Sequence, residues 1–196
     1  MSNESRIIRA FVSIAIPEGV KDEVERVQDA LRRGLPEKPL RWTKRDQFHL
    51  TLKFLGNVET DRVTELSEAL RNSCAGIAAL KLRAERVGCF PGPRHPRVLW
   101  VGVRDDAEQL AELQSGIAAT CGTFCEARAD KPFTGHVTIA RVNELKRPQA
   151  EALAGRLREL TERRFGQWTA REVRLMRSEL TPSGAVHSVL EVFPLV

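Results

Sequence analysis

Two short stretches carry the side chains best suited to chemistry: FHLTLKFLG at residues 48–56 and GHVTIAR at residues 135–141. Each holds His-x-Thr inside an alternating apolar run. Alternation at period two marks a strand, so Leu50, Leu52 and Phe54 are predicted to face a core while His49 and Thr51 leave together from the opposite face. In the second copy Val137 and Ile139 point inward, and His136 and Thr138 point out. Residues two apart on a strand lie about 6.5–7 Å apart, so a His and a Thr so spaced can touch one phosphate. Imidazole titrates near neutrality, which lets one of two histidines be neutral and the other protonated. The neutral ring can take a proton from an attacking oxygen, and the protonated ring can give one to the leaving oxygen. The threonine hydroxyls would bond the non-bridging oxygens as charge accumulates. Phosphoryl transfer suits that set and requires no metal. A two-histidine metal site is the rival reading, although no third ligand stands at a sensible spacing. A lone strand histidine is ordinarily a structural imidazole; the duplication is what favours chemistry.

Two such faces need strands in a fixed register to hold them. Residues 9–16 read as a strand closed by Pro17, and Val20, Val24, Val27 and Leu31 recur at helical spacing until Gly34 and Pro36. A basic segment with Arg41, Trp42, Lys44 and Arg45 leads into the His49 strand, which Gly56-Asn57 ends. Thr60 caps a helix carrying Val63, Leu66, Ala69 and Leu70, which runs out near Cys74. Leu80, Leu82 and Ala84 alternate as a strand. FPGPRHPR, residues 90–97, is a loop whose Arg94, His95 and Arg97 make it either a solvated turn or a basic lip over an anionic substrate. A strand at 98–103 follows, then a helix capped from Asp105 or Asp106 with Ala107, Leu110, Leu113 and Ile117. A loop with Arg128, Lys131 and Pro132 leads to the His136 strand. A helix from Pro148 to about Phe165 and a hairpin of strands 172–180 and 186–193, turning at Thr181 to Gly184, complete the chain.

The order strand, helix, His-x-Thr strand, helix thus occurs twice. His49 and His136 stand 87 positions apart, and so do Phe11 and Val98. The chain reads as one domain of two similar halves, about 1–90 and 95–196. Helices over one face of each sheet leave the other faces free to meet, and a pseudo-twofold arrangement would line a shared cleft with both His-x-Thr pairs.

With 196 residues, 42% hydrophobic and 29% charged, the chain is long enough for one ample core. A net charge of +5 favours an anionic partner and permits nucleic acid without showing it. The opening MSNESRIIRAF lacks the pattern of a secretory signal, and no apolar stretch approaches a membrane span, so a soluble cytoplasmic protein is expected. Cys74, Cys89, Cys121 and Cys125 form no C-x-x-C pair and read as reduced thiols. No G-x-x-x-x-G-K-[ST] loop supports ATP-driven ligation.

The paired motifs resemble the 2H phosphoesterase superfamily. RWTKRDQFHLTLKFLG, FPGPRHPRVLWVGV, PFTGHVTIAR and SELTPSGAVHSVLEVFPL look like its RNA 2′,3′-cyclic phosphodiesterase branch, also called 2′,5′ RNA ligase. The resemblance spans essentially the whole chain. It implies an α+β fold of two pseudo-symmetric lobes, each an antiparallel-type sheet with helices on its outer face, around a central cleft. It also implies metal-independent opening of 2′,3′-cyclic phosphates to 2′-phosphates, with 2′,5′ joining of tRNA halves as the reverse type of reaction. Carried onto this chain, it implies His49 as proton donor to the 3′ leaving oxygen and His136 as general base toward water. Thr51 and Thr138 would hold the phosphate, and Arg141 matches an arginine that closes the second motif. Strict alternation places Arg141 on the Val137 face, so it reaches the cleft only if the strand twists or ends near Ala140; a structural salt bridge is the alternative.

Two positions depart from the family pattern: Gly135 stands where Pro usually precedes the second histidine, and the last hairpin has His187 near where an aromatic is common. His95 and His187 could touch substrate but read first as surface or structural groups, and Phe48, Trp42 and Trp100 read first as core packing over nucleobase stacking. A monomer without cofactor or membrane association is expected, acting on RNA with a 2′,3′-cyclic phosphate terminus, tRNA fragments included. A small cyclic nucleotide or ADP-ribose cyclic phosphate as substrate, and a non-catalytic RNA-binding module, are the competing readings.

Overall fold

Apolar periodicity divides the chain into strands and helices that a computed structural model describes over residues 7–33, 40–125, 132–182 and 184–196. Gly34 and Pro36, Arg128 and Lys131, and Ser183 of the expected last turn lie outside the described residues. The elements in order are β1 (Ile7–Ala15), α1 (Glu18–Arg32), β2 (Leu40–Trp42), β3 (His49–Glu59), α2 (Val63–Cys74), β4 (Leu80–Phe90) and β5 (Val98–Arg104). They continue with α3 (Gln109–Thr120), β6 (His136–Val142), α4 (Arg147–Glu159), β7 (Arg164–Ala170), β8 (Glu172–Thr181) and β9 (Gly184–Pro194). α1 forms as its spacing dictates: Val20, Val24, Val27 and Leu31 make one buried stripe directly after Pro17.

Among the described residues the nine strands make one antiparallel sheet of order β7-β4-β5-β6-β3-β1-β8-β9, with β2 also pairing β6. It consists of two four-stranded lobes joined between β6 and β3. α2 and α3 pack on the β3-β1-β8-β9 lobe, and α1 and α4 on the other. Each lobe draws on both halves of the sequence. β4, from the first half, pairs with β5 and β7; β8, from the second half, pairs with β1. The helices cross over too, since α1 follows β1 yet packs against β7 in the opposite lobe. The apolar side chains from both lobes merge into one core.

Several sequence expectations need correction. Helical spacing predicts a helix running to about Phe165, but α4 stops at Glu159 and Arg164–Ala170 forms the edge strand β7. The basic segment before His49 contains the short strand β2 rather than a plain connection. Phe54 does not face the core: it is 67% exposed, and Leu55 is buried in its place. β3 also continues past Gly56-Asn57 to Glu59, and a 3-10 turn at Thr60–Arg62 precedes α2, so Thr60 provides no side-chain cap.

Candidate active site

The two His-x-Thr strands meet at a single bridge, Leu50 with Val137, antiparallel. Those residues are themselves 87 positions apart, so the bridge joins equivalent points of the two halves and a local twofold axis passes through it. In an antiparallel register around that bridge, His49 lies toward Thr138 and Thr51 toward His136. Leu50 and Val137 are buried, while all four polar residues are half-buried on the other face. The duplicated motifs are therefore brought to one seam.

Each motif strand is bent by a bulge at an equivalent residue. Against β1, Val12 pairs with Lys53 and Ser13 with Thr51, leaving Leu52 as the extra residue. Against β5, Leu99 pairs with Ala140 and Trp100 with Thr138, leaving Ile139 as the extra residue. A bulge reverses the alternation beyond it. This is why Arg141 is exposed on the His136 face while Ala140 and Val142 are buried, and why Phe54, its counterpart in the other lobe, is exposed too. The strict alternation that placed Arg141 on the Val137 face fails at Ile139. Arg141 makes no salt bridge among the described residues, so the structural alternative for it is not realised.

A side-chain amide holds each bulge from behind, buried in one lobe and half-buried in the other. Gln28 of α1 is 3% exposed and donates through Nε2 to the Ile139 carbonyl (2.8 Å) and the Thr43 carbonyl (2.9 Å). In the other lobe Gln114 of α3 donates to the Leu52 carbonyl at 3.2 Å. The Ile139 carbonyl also accepts from the Thr43 N–H at 3.0 Å, so Gln28 is its second donor and ties the bulge, α1 and the segment after β2 together, while Gln114 donates to the carbonyl of the equivalent extra residue.

The histidines are oriented alike. His49 Nδ1 lies 2.7 Å from the Gln47 carbonyl, and His136 Nδ1 lies 2.6 Å from the Thr134 carbonyl. A carbonyl can only accept, so both Nδ1 atoms carry the proton and both Nε2 atoms are left for a substrate. Burial pushes the pKa of His49 from 6.5 down to about 4, with the neighbouring His187 and His136 adding to the fall and the Gln47 carbonyl opposing it. His136 is lowered as well, by burial and by the Arg141 charge, against the Thr134 carbonyl. Without substrate the site thus holds two neutral imidazoles at neutral pH, and an anion between them would restore protonation.

Aromatic rings pack the histidines in place. Phe11 lies beside His49, with ring centroids 4.8 Å apart, and Phe90 meets His136 edge-on at 5.2 Å. Phe90 also stacks on Trp100 at 5.2 Å, and a Cβ on Gly88 would overlap that indole. Trp100 therefore lies across the sheet on the Thr138 face rather than in the core. Phe48 is buried and Trp42 packs against the core, as their apolar character suggests.

Sequence reasoning left His187 between a substrate contact and a surface or structural role, without placing it beside the first motif. Its ring is edge-on to His49 at 5.4 Å and to Phe11 at 5.0 Å, its buried Nδ1 has no partner among the described residues, and Gln47 donates to the Ala185 carbonyl of the same strand. Burial lowers the pKa of His187, with Asp46 opposing. The only signal was a histidine in the terminal hairpin, and nothing local says that this hairpin turns back over the first motif. His95 stays exposed in the 90–97 loop. Gly135 has a steric reason: a Cβ there would lie 2.5 Å from the Val103 carbonyl oxygen.

Among the described residues no three His, Cys, Asp or Glu side chains gather closely enough to hold a metal. The four cysteines are free thiols, and burial pushes Cys74 up to about 11 and Cys121 to about 12. No helix of the described residues is long and apolar enough to cross a membrane.

Known proteins share both the repeat and the fold. The family described as LigT like Phosphoesterase matches residues 14–100 and again 101–187. The RNA 2′,3′-cyclic phosphodiesterase of Methanothermobacter thermautotrophicus is 31% identical over 191 residues, 96% of this chain and 99% of that protein. The protein of the same name from Archaeoglobus fulgidus is 31% identical over 186 residues, 95% of this chain and 99% of its own. The crystal structure of TT0787 of Thermus thermophilus superposes with a TM-score of 0.78 at 27% identity, covering 96% of this chain and 98% of that one. A repeated family match in the same 87-residue period as the His-x-Thr motifs, with relatives aligned end to end, places this chain in the LigT-like phosphoesterase (2H phosphoesterase) family.

Proposed function

We propose that this chain hydrolyses RNA 2′,3′-cyclic phosphate ends to 2′-phosphomonoesters without a metal, and that it does so as a single domain of two halves. The observation that carries the reading is the Leu50–Val137 bridge, which sets two equivalent His-x-Thr pairs about one axis with neither Nε2 atom engaged among the described residues. The names of the relatives supply the substrate class.

His136 Nε2 takes the proton of the attacking water, whose oxygen forms the new bond to phosphorus. The bond from phosphorus to the 3′ oxygen breaks, and protonated His49 gives its Nε2 proton to that oxygen, leaving the phosphate on the 2′ oxygen. Thr51, Thr138 and Arg141 hold the non-bridging oxygens as charge builds. The assignment of His49 as acid and His136 as base follows the family resemblance, and both rings depend on the bound phosphate for any protonation near neutrality. Joining RNA through a 2′,5′ linkage uses the same two groups in the same roles with a 5′-hydroxyl in place of water: His136 takes its proton, its oxygen bonds to phosphorus, and His49 protonates the departing 3′ oxygen. On this reading tRNA fragments qualify as substrates, and a cytoplasmic monomer suffices.

A short RNA ending in 2′,3′-cyclic phosphate, incubated with the protein in excess EDTA, should yield the 2′-phosphate, separable from the 3′-isomer by chromatography. A dependence on added divalent metal, or a 3′-phosphate product, would contradict the proposal.

A further inference from the structure

Arg41 is a cation that the reaction above leaves unused. β2 joins β6 in the register Leu40 with Val142, Arg41 with Arg141, and Trp42 with Ala140. Leu40 and Val142 are both buried, whereas Arg41 and Arg141 are both exposed. The two guanidinium groups therefore leave from one face, and the Ile139 bulge makes it the face of His136 and Thr138. Opposed residues of an antiparallel pair have Cα atoms about 4.5–5.5 Å apart. Like charges held that way repel.

Several other arginines of this chain have carboxylates beside them. Arg45 meets Glu18, Asp22 and Glu25; Arg83 meets Asp106 and Glu85; Arg71 meets Glu191. Neither Arg41 nor Arg141 makes an ion pair or a side-chain hydrogen bond among the described residues. Backbone register thus sets two positive charges together with no carboxylate paired to either among the described residues. A bound anion would relieve that repulsion, and the planar, multiply donating guanidinium suits a phosphate.

One phosphate is already accounted for by the histidines, the threonines and Arg141. Beyond Thr138 and the bulge, Arg141 stands two strand steps on, about 6.5–7 Å, and Arg41 flanks it on β2. In a substrate ending in 2′,3′-cyclic phosphate, the next phosphate sits on the 5′ oxygen of the same ribose, one nucleotide step away. We propose that Arg41, flanking the Arg141 that holds the reacting phosphate, forms a second phosphate subsite that binds the phosphate on the 5′ oxygen of the terminal nucleotide. This rests on the proposed reaction for the identity of the first phosphate. The subsite makes the site prefer a nucleotide bearing that second phosphate over a bare nucleoside cyclic phosphate. The second phosphate is either an internal phosphodiester of an RNA chain or a free 5′-phosphate.

The test compares kcat/KM for three substrates: a nucleoside 2′,3′-cyclic phosphate, the same compound carrying a 5′-phosphate, and a trinucleotide ending in cyclic phosphate. The parent should favour the trinucleotide over the bare nucleoside by about tenfold or more, about 1.4 kcal/mol. Arg41→Ala should remove most of that ratio, and Arg41→Lys should keep part of it. Arg26→Ala, which removes the same charge from the outer helix α1, should leave the ratio as in the parent. A 5′-phosphate that restores the preference identifies a single phosphate as what is recognised; preference confined to the trinucleotide identifies the phosphodiester.

A parent ratio near one, or a ratio untouched by Arg41→Ala, overturns the subsite while leaving hydrolysis standing. Equilibrium binding of a labelled trinucleotide ending in 2′-phosphate provides a readout independent of turnover. The slope of log affinity against log salt should fall by about 0.7 in Arg41→Ala. Binding that depends on Arg41 without any turnover by the parent sinks the hydrolytic reading and keeps the subsite.

Discussion

His49 is the residue whose chemistry depends most on what fills the site. Burial beside Phe11 and His187 drives its proton off until about pH 4, yet the proposed reaction needs it protonated near neutrality. The phosphate supplies the missing charge, so the acid is made by its substrate. A nucleoside 2′-phosphate should therefore raise the titration midpoint of His49, followed by the proton resonances of its ring; an unchanged midpoint would contradict the account. The same shift has a sign for stability. An unfolded imidazole binds a proton near 6.5, and the folded one resists until about 4, so the unfolded chain holds more protons between those values. Stability is full above pH 6.5 and falls as pH drops through about 4. Urea midpoints measured across that window should fall less steeply in His49→Gln.

At the scale of elements, two bulges decide which side chains reach the chemistry. Without the extra residue at Ile139, Arg141 would turn to the core side, and without the one at Leu52, Phe54 would too. Gln28 holds the first of these by capping a carbonyl buried under α1. Gln28→Met keeps the volume but removes the donor to the Thr43 carbonyl and the second donor to the Ile139 carbonyl, which the Thr43 N–H still reaches, and should cost about 1 kcal/mol in denaturant unfolding. KM for the cyclic phosphate should rise in the same variant as Arg141 loses its support. A stable variant with parent kinetics would show that the bulge holds without this amide.

The strand carrying His49 and Thr51 was legible because alternation runs cleanly from His49 to Leu52. The bulge was not, because HLTLKFLG satisfies an unbroken alternation equally well, and the extra residue is visible only against the partner strand β1. β7 was missed for a related reason: in RFGQWTA only Phe165 and Ala170 are buried, and Gly166 interrupts the pattern. The short β2 carries too few residues to show any period.

On the whole molecule, the 87-residue repeat foretold a pseudo-twofold axis but not the exchange of strands across it. Spacing says which segments are equivalent; it does not say which lobe each one joins. Because β4 completes the lobe of β5 and β7, and β8 completes the lobe of β1, neither half carries its own sheet. Fragments 1–93 and 94–196 produced separately should show no cooperative thermal unfolding by circular dichroism, whereas two independent domains would each melt sharply. That interdependence also fixes the seam, since the Leu50–Val137 bridge forms only when both lobes are complete.

The central claim is that the two histidines brought to that seam carry the acid and the base. Phosphorus NMR of a short RNA ending in 2′,3′-cyclic phosphate, with the protein in excess EDTA, tests it most directly when the parent is run beside His49→Ala and His136→Ala. The account predicts conversion to a 2′-phosphomonoester by the parent, and a rate lower by about 100-fold or more in each variant with its circular dichroism unchanged. A folded variant that keeps the parent rate would contradict it.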